Sequence, residues 1–311
     1  MQSVEQKMKA AAKALLTEKR ADVVIGFRNG SLAHTARPFF ARSASDVEQL
    51  VWNQHCANNL AAYLPKLFER PARPPKDYKP PRVGVVAKSC DMRSISGLIK
   101  EKQVPRENVV VIGMPCTGML SAPKNGAAKA ELKRACVECV APVTQGADIT
   151  IEGESRKPAK ADFARIKKFE AKPAEERWKL FVAEMAKCIR CNACREACPN
   201  CYCKLCFADQ RKPSWVSPAS ELSDTIVFHL GRMFHQAGRC VECDACVQAC
   251  PMGIDLRLFT QKLAMDAREL FGCIPGVTGE DMPPLNTFKQ DDSESFITDP
   301  EARQGASARD R

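Results

Sequence analysis

The sequence predicts an α/β N-terminal part with a small, mainly parallel sheet, followed by an α-helical part built around two copies of one cysteine motif. Three observations carry this. Two apolar runs, Arg82–Ala87 (RVGVVA) and Asn108–Gly113 (NVVVIG), bracket the helical stretch Arg93–Lys102. That order is a βαβ unit, whose two strands must run parallel. From Pro173 onward the periodicity is helical. The same cysteine spacing then occurs at 188–199 and again at 240–251. A shift in composition near residue 155 divides the chain into 1–155, a basic linker 156–172, a helical segment 173–275 and a flexible tail 276–311.

The elements follow in order. Residues 4–19 predict a helix, with Val4, Met8, Ala11, Leu15 and Leu16 on one face. Ala21–Phe27 is a β-rich run closed by the turn signal Asn29-Gly30. Val47 to Leu64 has the pattern of another amphipathic helix, and Pro71–Pro81 is a proline-rich connector that admits none. After the βαβ unit, Ala127–Cys136 is helical and Ala147–Ile151 is a strand. Ser155–Lys172, rich in Lys, Arg and Ala, is a linker, and its Arg156–Lys168 stretch could also dock an acidic redox partner. Helices are expected at Ala174–Lys187, Ser220–Gln236 and Ile254–Phe271. The last 36 residues, Gly276–Arg311, are polar and aperiodic and are expected to be disordered or loosely draped.

Composition narrows the function classes. No run of 18 apolar residues exists to span a membrane, and residues 1–20 lack the apolar core of a secretory signal, so a cytoplasmic protein is expected. Seventeen cysteines among 311 residues then point to metal ligation rather than disulfides. The net charge of +10 does not imply nucleic acid. Four thiolates around a [4Fe-4S] core leave about −2 per site, so several clusters would cancel much of it.

Cys188-x-x-Cys191-x-x-Cys194-x-x-x-Cys198-Pro199 and Cys240-x-x-Cys243-x-x-Cys246-x-x-x-Cys250-Pro251 both match the run C-x₂-C-x₂-C-x₃-C-P. Three cysteines on a tight loop can reach three irons of one cube. The fourth lies a turn further on, faces away and serves the other cube. Cys188, Cys191, Cys194 and Cys250 are therefore expected to hold one [4Fe-4S] cluster, and Cys240, Cys243, Cys246 and Cys198 the other. Zinc is the rival, but it favours paired C-x₂-C units over triplets. The long gap between the motifs resembles the helical two-cluster ferredoxin-like domains of heterodisulfide reductase C-type subunits and succinate dehydrogenase iron–sulfur subunits. Cys201, Cys203 and Cys206 exceed what two cubes need; they read as extra thiols near the clusters, part of another metal site, or buried small residues. His55, His229 and His235 read first as surface or packing residues. The latter two could also tune a cluster by hydrogen bonding.

Four more cysteines have structured surroundings. Cys90 follows the first buried strand, Cys116 the second, and Cys136 and Cys139 form C-V-E-C ahead of Ala147–Gly153 (ADITIEG). A cysteine at the C-terminal end of a parallel strand sits where α/β folds place ligands. From the residues alone, convergence on one cube and incidental core placement both stay open. Segment 82–153, with KSCD at 88–91, GMPCTG at 113–118, CVEC at 136–139 and ADITIEG at 147–153, resembles the coenzyme F420 hydrogenase/dehydrogenase β-subunit family. That family has a G-T-P-C-Q-like turn, a G-x-x-C-x-G strand end, C-x-x-C and A-D-I-S-x-G-D in the same order. The first turn is only partly kept here, and the resemblance covers about half the chain. It implies that Cys90, Cys116, Cys136 and Cys139 ligate a third [4Fe-4S] cluster. Family members bind FAD and exchange electrons with F420, so FAD is a candidate cofactor, although no G-x-G-x-x-G fingerprint is present.

The expectation is an iron–sulfur electron-transfer subunit of a cytosolic oxidoreductase, in an organism with anaerobic metabolism. Its partner subunit would be of formate dehydrogenase, hydrogenase or heterodisulfide-reductase type. No catalytic acid/base pair is evident. The rivals are a flavoenzyme that oxidises reduced F420 or a related hydride carrier, and a zinc-stabilised interaction module.

Overall fold

The computed structural model describes residues 2–121, 131–142, 144, 146–160, 163–277 and 283–286. A five-stranded sheet with order β2-β1-β3-β4-β5 organises the first half. Its strands are β1 (Val23–Asn29), β2 (Ala36–Ala41), β3 (Val83–Ala87), β4 (Val109–Gly113) and β5 (Ile149–Thr150). β1, β3, β4 and β5 run parallel, and β2 returns antiparallel to β1 at the edge.

Both faces of the sheet are covered, which is why the strands are apolar throughout rather than alternating. Val24, Val86 and Ile112 pack against Met8, Ala12 and Leu15 of α1 (Val4–Thr17). Ile25, Phe27, Val85 and Val111 pack against Leu60, Leu64 and the α4 (Ser89–Lys100) residues Ile95 and Leu98. Gly84 allows α1 to sit close: a Cβ there would lie 3.2 Å from the Leu15 side chain.

Three expectations need correction. Val47–Leu64 is not one helix. Only α2 (Ala44–Val47), a 3₁₀ turn at Leu60–Tyr63 and α3 (Leu64–Leu67) form. The chain between them is drawn off the helical path. Val51 N–H donates to Phe27 O, Trp52 N–H to Glu5, and the side chains of Asn53 and Asn59 cap their own local turns. The helix expected at Arg93–Lys102 begins at Ser89, because Asp91 accepts the Lys88 N–H at 2.8 Å and caps the first turn. Cys90 therefore lies in a helix. Of the helix expected at Ala127–Cys136, residues 127–130 lie outside the described residues; the described part is the short α5 (Arg134–Val137), preceded by Leu132 bridged to Leu120.

The second half is helical: α6 (Ala164–Glu170), α7 (Ala174–Met185), α8 (Ala193–Glu196), α9 (Leu222–His235), α10 (Ala245–Ala249) and α11 (Leu256–Phe271). α6 lies within the stretch expected to be a linker. α7, α9 and α11 match their expected positions and surround Phe181, Met185, Phe228, Met233 and Leu256. α8 and α10, each carrying the third cysteine of a triplet, pack on one another. The expected tail falls almost wholly outside the described residues. No helix among the described residues is long and apolar enough to cross a membrane.

Candidate cysteine centres

The two triplets adopt the same backbone course. In each, the residues on either side of the central cysteine are left-handed: Arg190 (φ 54°) and Asn192 (φ 60°), then Glu242 (φ 59°) and Asp244 (φ 61°). Asn and Asp tolerate this conformation, whereas Arg and Glu are held in it at a cost of roughly 1–2 kcal/mol each. The surroundings hold them. Arg257 Nη1 donates to the Glu242 carbonyl at 2.8 Å, and Arg190 lays its guanidinium over the Phe228 ring, 4.7 Å from the centroid, while reaching Ser217 O. Two such pivots wrap the loop around the central cysteine and lead into a helical turn that carries the third.

Contact between α8 and α10 sets which thiols meet. Burial pushes the Cys188 and Cys194 thiols above their ordinary value, and both feel Cys191 and Cys250 as neighbouring charges. Burial raises Cys240, Cys243 and Cys246 in the same way, Cys246 to about 12, and each of the three feels Cys198. The fourth cysteine of each motif thus neighbours the triplet of the other. Cys191 is exposed, so the first group reaches the surface.

The N-terminal four also converge. Cys90 on the first turn of α4, Cys116 after β4, Cys136 on α5 and Cys139 beyond it line one recess. Burial raises Cys90, Cys116 and Cys139. Cys116 feels Cys136 and Cys139, and Cys90 feels Cys116. Cys243 lines the same recess and is felt by Cys90, so this group abuts one of the C-terminal groups.

No three His, Cys, Asp or Glu side chains among the described residues stand close enough to hold a single metal ion. A tetrahedral ion with bonds of about 2.3 Å draws its sulfurs to within about 4 Å of one another. A four-iron cube asks for less, because each thiolate binds a different iron. Two features suit the residues to such a group. Backbone amides two positions on donate toward the sulfurs of Cys116, Cys139, Cys188, Cys198 and Cys243, and Met119 N–H donates to Cys136 Sγ at 3.3 Å. Such donors favour the thiolate form that a ligand needs. Secondly, buried cations without carboxylate partners stand at the sites. Lys133 is 4% exposed, and among the described residues its Nζ reaches only the carbonyls of Ala57 and Cys243. Arg93 is 6% exposed, and its Nη2 finds no partner. An isolated buried cation is costly, and an anionic group in the recess relieves it.

Sequence reasoning passed over these cations, and also the junction between the halves. Arg257 binds Glu138 at 2.6 Å and Asp244 at 3.4 Å, and Asp244 accepts Ala135 N–H at 3.1 Å. Burial pushes the Glu138 carboxyl up, but the bond to Arg257 and its charge, with Gln261 and Arg134, together leave it below the usual range. Glu138 lies inside C-V-E-C and Asp244 inside the second triplet, so the loops bearing both cysteine groups are clamped by one guanidinium. Of the extra thiols, Cys201 accepts from Gln236 Nε2 at 3.4 Å and shares a hydrogen bond with Cys198 that lowers Cys201 and raises Cys198. Cys203 is exposed. His229 is buried, with Nε2 3.3 Å from Cys188 Sγ, and burial pushes it down to about 4. His55 is adjacent to the aromatic ring of His34 and approaches none of the cysteine groups through any described hydrogen bond.

Comparison with known proteins places this arrangement. The chain is 24% identical to the F420-dependent formate dehydrogenase subunit beta of Methanocaldococcus jannaschii, over 89% of this chain and 92% of that protein. It is also 24% identical to the F420-dependent formate dehydrogenase 1 subunit beta of Methanococcus maripaludis, over the same shares. The resemblance to the F420 hydrogenase/dehydrogenase β-subunit family holds. It extends well past segment 82–153, so the helical half is part of the likeness and not a replacement confined to this chain. No family model matches the sequence.

Proposed function

We propose that this protein is an iron–sulfur electron-transfer subunit of a multi-subunit oxidoreductase whose partner is a formate dehydrogenase, hydrogenase or heterodisulfide-reductase type of subunit. Cys188, Cys191, Cys194 and Cys250 would hold one [4Fe-4S] cluster, Cys198, Cys240, Cys243 and Cys246 a second, and Cys90, Cys116, Cys136 and Cys139 a third. The clusters would supply one-electron storage and transfer. The chain's own part is to supply the thiolates, exclude water from them and keep the three groups adjacent.

The observation that carries this reading is the crossing of the fourth cysteines, with Cys250 beside the Cys188–Cys194 loop and Cys198 beside the Cys240–Cys246 loop. Zinc pairs do not require that exchange. The bordering of the N-terminal recess by Cys243 supports passage between the halves. Likeness to formate dehydrogenase β-subunits supports a partner of that kind. The names of those relatives also favour a second reading, FAD-dependent chemistry on F420 or a related hydride carrier.

Anaerobic purification with iron, sulfide and flavin quantitation, plus EPR of the reduced protein, tests both. About twelve iron and twelve sulfide per chain is the expected result. Zinc without sulfide would sink the relay, and stoichiometric flavin would shift the reading to the hydride-transfer enzyme.

A further inference from the structure

α9 lies between the two triplets in sequence, and one side chain on it addresses both groups at once. Arg232 is 4% exposed. Its Nη2 donates to the Cys194 carbonyl at 3.0 Å, its guanidinium also donates toward the Cys201 sulfur, and Nε and Nη1 meet no nitrogen or oxygen acceptor among the described residues. No ion pair with a carboxylate exists for it among the described residues; the groups whose charge bears on it are Cys201, Cys246, Cys198 and Cys194. Cys201, the foremost of these, belongs to neither proposed ligand set; Cys194 belongs to one, Cys246 and Cys198 to the other, and Cys198 lines the same cleft as Arg232.

A guanidinium stays charged at any physiological pH. Burying it with no carboxylate partner is costly, and thiols, of which only Cys201 among its neighbours is shifted toward the thiolate, relieve it only in part. Two clusters at about −2 each would relieve it. The position is also unlike that of Arg190, which lies in the first loop with its charge on Cys188.

We propose that Arg232 is the shared counter-charge of both C-terminal clusters and holds both at a higher reduction potential than they would otherwise have. This rests on the cluster assignment above. Reduction adds a negative charge to a cube, and a fixed cation in a poorly screened interior favours the form that carries more of it. Because one cation serves both sites, both potentials should respond to its loss. Arg232 is a positioning and tuning residue; it ligates nothing.

The test is an EPR-monitored redox titration of the full chain, wild type against Arg232→Met, Arg232→Gln and Arg232→Lys, with iron and sulfide measured on each sample. In Arg232→Met both clusters should become harder to reduce, by about tenfold in each one-electron equilibrium, or about 59 mV. Arg232→Lys should stay near wild type. Arg232→Gln keeps length and a donor without the charge; it carries the test if the methionine variant does not retain its iron, and it should show the same shift. Arg190→Gln should move only one cluster. The proposal is overturned if the neutral variants retain wild-type iron and leave both potentials in place, if only one cluster moves, or if Lys shifts them as far as Met does. A wild-type chain without cube iron would instead sink the cluster assignment itself.

Discussion

The two halves of this molecule are held together by different forces. In the sheet half, apolar side chains fill both faces: Val24, Val86 and Ile112 on one, Ile25, Phe27, Val85 and Val111 on the other. Each such burial contributes roughly 1.5–3 kcal/mol, and the layers close without help. The helical half has a smaller apolar cluster around Phe181, Met185 and Phe228, and spends much of its interior on thiols and on Arg232 and Arg257. Charged interiors stabilise only when partnered. The sheet half therefore depends on its apolar residues, and, under the proposed cluster assignment, the helical half would depend on what its cysteines bind.

The largest expected effect breaks that comparison open. Stripping metal with a chelator should abolish hydrogen-exchange protection in α7, α9 and α11 and leave β1, β3 and β4 protected. Equal loss in both halves would show that the sheet also depends on metal. Next in size, Cys250→Ser and Cys198→Ser should each cost one four-iron cluster, taking iron from about twelve to about eight per chain. The EPR signal lost should differ between the two variants. Arg257→Met should destabilise the junction by roughly 3–5 kcal/mol in denaturant unfolding, since Glu138 and Asp244 lose their buried partner. A change under 1 kcal/mol would mean the halves do not rely on that clamp. His229→Leu should lower the potential of one cluster by less than the loss of Arg232 lowers either, because a hydrogen bond to one sulfur is weaker than a full charge. The smallest effect is expected at Cys203, where exposure predicts that Cys203→Ser leaves iron content unchanged.

Legibility followed the same division. β1, β3 and β4 were legible because strands buried on both faces are continuous apolar runs. β2 was not: Arg37 and Pro38 within ARPFFA mask a strand that survives only at the sheet edge, where a missing amide is tolerated. The Val47–Leu64 region carried helical spacing, but asparagines at 53 and 59 and tertiary bonds to Phe27 and Glu5 overrode it. At the sites, cysteine spacing pointed to the thiols that are proposed as ligands. The cations did not announce themselves, because Lys133, Arg93 and Arg232 look in sequence like any solvated basic residue. Only Arg232 left a trace, falling on the same helical face as His229, three residues earlier. A charge buried beside thiols becomes visible only when the packing of separate elements is known.

The most direct measurement is anomalous diffraction at the iron edge from anaerobically grown crystals of the full chain. The account predicts three separate four-iron peaks, with Cys250 Sγ bonded to the cube of the Cys188–Cys194 loop and Cys198 Sγ to that of the Cys240–Cys246 loop. A map in which each motif's four cysteines surround their own metal, or in which only single ions appear, would contradict it.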